Sequence, residues 1–152
     1  MALPTVAFAK FRALAPAERR VVLVSLLLLP LLSIALRIAP RRGLQCARGR
    51  PMEMPARARS LDPARTAALV CAVAGRLPLR STCLARSLFV QWLLRRQGTS
   101  SDVNVGVRFS GGSLEAHAWV ECDGQPLCEM PDVRSRYHAF TEPFPVEALF
   151  RR

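Results

Sequence analysis

The hydrophobic pattern changes its period near Gly98, and this change constrains the fold more than any other feature of the sequence. Before it, apolar residues recur every three or four positions, as Leu84, Leu88 and Trp92 do, which is the spacing of one helix face. After it, residues 103–109 alternate between apolar and polar, the period of a strand with one buried face. Helices followed by tightly connected strands predict an α+β fold, with N-terminal helices and a small antiparallel sheet.

Signals at the ends of two helices and three strands define these elements. The first of these helices is capped by Asp62 and ends at Gly75, a residue type that commonly terminates helices. The second begins near Ser81 or Thr82, either of which can cap it, and continues to Arg96. The strands are predicted at residues 103–109, 114–122 and 125–130; after Pro131 the local signals weaken.

An apolar run at residues 21–36 is interrupted only by Ser25, Pro30 and Ser33. A membrane span needs about 20 apolar residues, and this run falls slightly short of that length. A signal peptide would need a small-residue cleavage site soon after the run, and the residues that follow make a poor one. We favour a buried or interface helix, with membrane contact through residues 17–38 as the alternative.

Two segments follow from this organisation. Residues 1–60 are expected to form the apolar N-terminal helix and a linker rich in proline and arginine. Residues 61–152 are expected to form the core that carries the chemistry. The length of 152 residues agrees with one compact core of this size.

Charge and cysteine content limit the partners and the compartment. The net charge of +11 favours anionic partners, but no basic stripe interleaved with aromatics is present, so we expect no nucleic acid. The five cysteines are odd in number and irregular in spacing, which argues against a disulfide framework and favours a reducing, cytoplasmic location, with membrane association as an added alternative. No CxxC pair is present, and we predict neither a metal nor a cofactor.

Cys83 and His117 are the candidate nucleophile and base. Cys83 falls at the start of a predicted helix, where unpaired amides and the helix dipole stabilise a thiolate; the alternative is a small buried residue with no role. His117 lies mid-strand on a face that also carries Trp119 and Glu121. It is either a half-exposed surface histidine or a general base beside the thiol. A helix-initiating cysteine followed by a strand histidine and a strand acid is the order of papain-like folds.

A third group is needed to orient the imidazole of His117. The candidates are Asp123, Glu129 and Asp132. Asp123 lies at the predicted turn and is too distant from His117 in either strand register. The choice between the other two depends on how the last two strands pair.

Two hairpin registers give different answers. A tight two-residue turn places Asp132 on the same face as His117. A three-residue turn with a G1 bulge sets Glu121 opposite Gln125 and Glu129 directly opposite His117. Directly opposed Cβ atoms lie about 5 Å apart, a distance that suits a carboxylate–imidazole hydrogen bond. We therefore favour the bulge and Glu129, with Asp132 as the alternative.

Several short motifs occur together in the order of one known family. They are residues 81–88 (STCLARSL), 93–98 (LLRRQG), 105–107 (VGV), 116–121 (AHAWVE) and Gly124, preceded by an apolar segment that opens with PAERR at residues 16–20. With these motifs the chain resembles the B protein family of lasso-peptide biosynthesis over about residues 10–135. That family has a transglutaminase-like, papain-like fold.

The resemblance implies a peptidase that removes the leader from a ribosomally made precursor peptide before a partner closes the macrolactam. It carries the nucleophile onto Cys83 and the base onto His117. The family's third residue is usually Asp, whereas Glu129 is at the position we take to match. Partners implied are the precursor, an asparagine-synthetase-like cyclase and a leader-binding domain, the RiPP recognition element. Residues 1–60 are too apolar and proline-rich to be that domain, so we expect a separate leader-binding protein.

Two other functions remain open from the sequence. A transglutaminase-type acyl transferase would use the same residues with an amine in place of water. A non-catalytic, membrane-attached scaffold of a maturation complex would use the apolar run as an anchor and leave Cys83 and His117 inert.

Overall fold

The computed structural model describes residues 11–39, 61–78 and 81–139, which form three long helices and a four-stranded sheet. The first helix packs on the other two, and these two pack against the sheet. The helices are α1 (Pro16–Ile38), α2 (Pro63–Ala74) and α3 (Cys83–Arg96), with a single turn α4 (Val133–Arg136); the strands are β1 (Asp102–Ser110), β2 (Ser113–Cys122), β3 (Gln125–Leu127) and β4 (His138–Ala139). The sheet order is β3-β2-β1-β4, with every neighbouring pair antiparallel. The predicted α+β fold is confirmed, whereas the predicted linker at residues 40–60 lies outside the described residues.

Side-chain caps start α2 and α3 where the sequence predicts. The Asp62 carboxylate accepts from the Arg65 amide at 3.0 Å. The Thr82 hydroxyl accepts from the Ala85 amide at 3.1 Å, so Thr82 rather than Ser81 is the cap. Each cap satisfies one of the amides that the first helical turn leaves unpaired. The cap at Thr82 fixes Cys83 as the first residue of α3.

Helix α1 packs through one narrow face. The buried residues on that face are Val21, Ser25, Leu29 and Ser33, each four positions from the next, which is one row along a helix. The two serine hydroxyls donate to the carbonyls of Val21 and Leu29, both at 2.7 Å, so this face buries no unpaired hydroxyl. Val21 and Leu29 share a core with apolar residues of α2 and α3. The helix is therefore built into the fold along one face only.

Helix α3 is fixed to the sheet beneath it by side-chain hydrogen bonds as well as by apolar packing. The Ser87 hydroxyl donates to the Ala118 carbonyl of β2 at 3.0 Å. The Gln91 amide donates to the Ser101 carbonyl at 2.9 Å. Both contacts are buried, where an unmade hydrogen bond costs about 1–3 kcal/mol. The Ser87 contact holds the first half of α3 against the middle of β2, which matters because these two elements carry Cys83 and His117.

The hairpin between β2 and β3 differs from the favoured prediction. Cys122 pairs with Gln125, and the two turn residues Asp123 and Gly124 have φ values of 49° and 76°. This is a two-residue turn of the type I′ class, so the predicted G1 bulge, with Glu121 opposite Gln125, is wrong. Asp tolerates the left-handed conformation better than most residues, which lets the tighter turn form.

Strand β3 also ends earlier than predicted. It stops at Leu127 instead of reaching Met130. Cys128 then adopts a left-handed backbone with φ of 57°, which turns the chain out of the sheet. After this turn come α4 and β4, which the sequence does not predict. Strand β4 pairs with β1 through Gly106 and Val107.

Candidate active site

Cys83 lies at the first position of α3 and is half-buried. Thr82 accepts two hydrogen bonds from the first turn of α3. Its hydroxyl accepts from the Ala85 amide, and its carbonyl accepts from the Arg86 amide at 3.1 Å. The amides of Cys83 and Leu84 come before these, among the first-turn donors that a helix does not pair internally. Cys83 therefore lies at the positive end of the helix dipole, in the turn whose first amides the helix leaves unpaired.

A cleft of about 300 Å³ joins Cys83 to His117. Its walls come from the last turns of α1, the first turn of α3 and the middle of β1 and β2; the lining residues are Ser33, Leu36, Arg37, Thr82, Cys83, Leu84, Val105, Ala116, His117 and Ala118. Its volume is at the lower end of the range for ligand pockets. The structure thus brings the predicted nucleophile and the predicted base to one cleft, although they are far apart in sequence.

Two aromatic rings lie beside the imidazole of His117 and beside each other. Trp119 stacks near it with ring centroids 6.2 Å apart, and Tyr137 lies tilted at 5.1 Å. The space for this cluster depends on Gly106, the β1 partner of His117. A Cβ atom at Gly106 would lie 3.0 Å from the Tyr137 Cβ and 3.1 Å from the Trp119 ring. Any larger residue at this position would therefore force Tyr137 or Trp119 to shift, and glycine avoids that shift.

The Glu129 carboxylate contacts the imidazole. Its Oε1 lies 3.0 Å from His117 Nε2, with both side chains mostly shielded from solvent. The contact arises because the chain turns at Cys128, and not because Glu129 stands opposite His117 in the sheet. Asp132 is exposed, and its backbone carbonyl accepts from the Ser135 amide at 3.0 Å. Of the three predicted acids, Glu129 is the one for which the structure shows a contact with His117.

A second carboxylate, that of Glu121, lies on the same strand as His117 and is the centre of a buried hydrogen-bond network. It is 5% exposed and accepts from the Trp119 indole at 2.7 Å and from the Arg134 Nε at 2.7 Å. The second Arg134 nitrogen contacts its other oxygen. The Arg134 guanidinium lowers the pKa of Glu121, against the effect of burial. This network fixes Trp119, whose ring stacks near His117. The roles of Arg134 and Tyr137 are not predictable from the sequence pattern, because both lie after the last predicted strand.

The described residues contain no group of three or more His, Cys, Asp or Glu side chains arranged to hold a metal ion. The side chains that line the cleft include a thiol and an imidazole, and the Glu129 carboxylate contacts that imidazole. A thiol beside an imidazole that a third group orients is the arrangement of nucleophilic catalysis.

Comparison with known proteins identifies a family. A family model described as the transglutaminase-like superfamily matches residues 25–142. The match includes most of α1, all of the sheet, and Cys83, His117 and Glu129. No curated protein and no solved structure is significantly similar to the chain.

Proposed function

The chain belongs to the transglutaminase-like superfamily, and we propose that it is a cysteine peptidase that removes the leader from a lasso-peptide precursor. The superfamily includes cysteine peptidases and acyltransferases. The specific role in leader removal rests on the motif resemblance around residues 81–98 and 116–124. The catalytic residues of this proposal are Cys83, His117 and Glu129.

The observation that carries the proposal is the contact between His117 Nε2 and Glu129 at 3.0 Å, because His117 lines the same cleft as Cys83. With Nε2 directed to the carboxylate, Nδ1 is the nitrogen left to exchange a proton with the thiol. The carboxylate fixes the tautomer and stabilises the imidazolium that forms during the reaction. A surface histidine without a catalytic role would not need this orientation.

In the acylation step the Cys83 thiolate attacks the carbonyl carbon of the last leader residue. The His117 imidazolium gives its proton to the departing amine, which is the new N-terminus of the core peptide. The negative charge that develops on the carbonyl oxygen is stabilised by the Cys83 amide, at the start of α3. In the deacylation step His117 takes a proton from water, which attacks the thioester and frees the leader.

The same acyl-enzyme would serve an acyl transferase, with an amine in place of water. The two activities are distinguished by the product: hydrolysis releases a leader with a free carboxylate, whereas transfer leaves the leader joined to the amine. Mass spectrometry of the released leader, with and without an added primary amine, separates them. We expect the free carboxylate in both samples.

The partners in this proposal are the precursor peptide, a separate leader-binding protein of the RiPP recognition element type and an asparagine-synthetase-like cyclase. The core's newly freed amine is the group that macrolactam closure consumes. Leader removal therefore precedes ring closure, in the cytoplasm where the precursor is made.

Cys83→Ala tests the proposal directly. Because the thiolate forms the covalent intermediate, the variant should lose leader cleavage entirely in an assay reconstituted with the precursor and leader-binding protein. Its thermal unfolding should match the wild type, since Cys83 is not part of the buried core.

Cys128→Ser is the matched control, because Cys128 is also a free and more exposed cysteine. In the presence of reductant this variant should retain most of the cleavage activity. Full cleavage by Cys83→Ala would refute the enzymatic proposal and leave the scaffold function.

A further inference from the structure

Three cysteines border one small cavity beside the cleft. The cavity measures about 20 Å³ and lies among Cys71 of α2, Cys83 and Cys128, with Arg86 and Glu129 also at its edge. All three thiols are free. The mechanism proposed above uses Cys83 alone, so Cys71 and Cys128 lie next to the reacting groups without a role.

Cys71 and Cys128 interact with each other across this cavity. The hydrogen bond from the Cys128 thiol lowers the pKa of Cys71 to about 7, against the effect of burial, and the charge of Arg86 adds to the lowering. The same contact raises the pKa of Cys128. The lowered pKa of Cys71 favours its thiolate, the form that reacts with disulfides.

We propose that Cys71 and Cys128 are a redox-active pair, which closes to a disulfide in reaction with a small-molecule disulfide and thereby inactivates the site. The inference that activity is lost rests on the proposed function. The formation of the disulfide does not, because it depends only on the cavity that brings the two thiols together.

The reaction has two balanced steps. In the first, the Cys71 thiolate attacks one sulphur of the small-molecule disulfide, forming a mixed disulfide and releasing one thiolate. In the second, Cys128 loses its proton to solvent and attacks the Cys71 sulphur, which forms the Cys71–Cys128 bond and releases a second thiolate. The two cysteines are oxidised by two electrons, and the small-molecule disulfide is reduced to two thiols. The second step is eased because Cys71 no longer carries the charge that opposed ionisation of Cys128.

The disulfide reaches the active site through Glu129. Cys71 is on α2, which the buried residues Val70 and Val73 anchor in the core. Cys128 is exposed, in the left-handed turn that follows the three-residue strand β3. A covalent S–S bond is shorter than the hydrogen bond it replaces, so the Cys128 turn moves toward α2. Glu129 is the next residue, and its carboxylate is drawn away from His117.

Treatment of the full-length protein with glutathione disulfide tests this inference. Peptide mapping without reductant should find one cross-link, between the peptides that contain Cys71 and Cys128, with Cys83 still free. Leader cleavage should fall about 100-fold or more, the scale of losing an orienting acid, and should recover with dithiothreitol. In Cys128→Ser and in Cys71→Ala, no cross-link should form, and cleavage should persist after the same treatment. The amount of mixed disulfide in each variant is quantified in the same peptide maps.

The disulfide pair and its effect on Glu129 are each contradicted by a different result. Mixed disulfides without a Cys71–Cys128 cross-link, or a cross-link to Cys83, would overturn the pair. A Cys71–Cys128 cross-link with unchanged cleavage would overturn the effect on Glu129. A reduced wild type that does not cleave would refute the peptidase function, while the cross-link readout would still decide whether the pair forms. Cys46→Ser serves as the control for loss of an arbitrary thiol.

Discussion

Glu129 and Asp132 lie three residues apart, but they have different surroundings. Glu129 is half-buried and contacts His117 at 3.0 Å, whereas Asp132 is exposed at the start of α4. An acid that orients the imidazole acts on the transition state more than on substrate binding. The difference between these two carboxylates is therefore open to a direct kinetic test.

We expect Glu129→Gln to lower turnover by about 10²–10⁴-fold with little change in KM, because the neutral amide has no charge to stabilise the imidazolium and can donate to Nε2 as well as accept from it. Glu129→Asp should retain part of the activity, since it keeps the charge but shortens the side chain. Cleavage rates of both variants over a range of precursor concentrations measure turnover and KM.

Asp132→Asn is the matched control and should behave as the wild type. Damage from Asp132→Asn with a near-normal Glu129→Gln would mean that the contact in the structure is not the catalytic one. Normal turnover in both variants would leave a Cys83–His117 dyad, oriented by another group.

At the scale of elements, the parts that the sequence predicts are those decided locally. Asp62 and Thr82 cap their helices because a cap needs only a side-chain oxygen and an amide three residues on. The hairpin register was not decided locally, because Asp123-Gly124 suits a two-residue turn as well as a bulge. The register that favours Glu129 in the sequence is not the one in the structure, and Glu129 reaches His117 because Cys128 takes a left-handed backbone.

The last elements, α4 and β4, depend on tertiary contacts. They have four and two residues, too few to show a period in the sequence. Val133 is 2% exposed and Arg134 is paired with the buried Glu121, so the segment is held by the rest of the fold. The contact of Tyr137 with His117 could not be predicted for the same reason.

Helix α1 has two unlike apolar faces. One is buried in the core, whereas the other exposes Leu27 at 69%, Leu31 at 61% and Ile38 at 79%. By length and composition the helix could cross a membrane, though core helices and signal sequences pass the same test. A contiguous exposed apolar surface of this kind usually marks a contact with a protein or a membrane. Because the opposite face packs on α2 and α3, we expect a covered surface and not a free span.

Leu27→Gln combined with Leu31→Gln should raise the soluble yield of the isolated chain with little change in its melting temperature. Leu29→Gln, on the buried face of the same helix, should instead destabilise the fold by about 2–5 kcal/mol, the scale of losing a buried leucine. Thermal unfolding and soluble yield measured together distinguish the two faces.

Carbonate extraction of native membranes should release the wild-type protein; retention in the pellet until detergent is added would show that α1 is in lipid.

At the scale of the whole molecule, the cleft lies where α1, α3 and the sheet meet. Ser33, Leu36 and Arg37 of α1 form one wall of it, so a partner that covers the exposed face of α1 would also border the cleft. With a volume of about 300 Å³, the cleft has room for a short stretch of peptide at most. If the chain is the proposed leader peptidase, selective cleavage of one bond needs a second contact with the leader.

We predict that a separate leader-binding protein supplies this contact and accelerates cleavage. Holding the leader beside the cleft converts a bimolecular encounter into an intramolecular one at an effective concentration near the millimolar range, and such tethering raises apparent affinity by about 10²–10⁴-fold. The gain should appear in kcat/KM at low precursor concentration and shrink as the precursor saturates the enzyme. A short peptide that spans the scissile bond but lacks the bound part of the leader should be cleaved slowly and at the same rate with or without the partner. If the full precursor is also cleaved equally fast in both conditions, this chain recognises the leader by itself, through a surface outside the cleft.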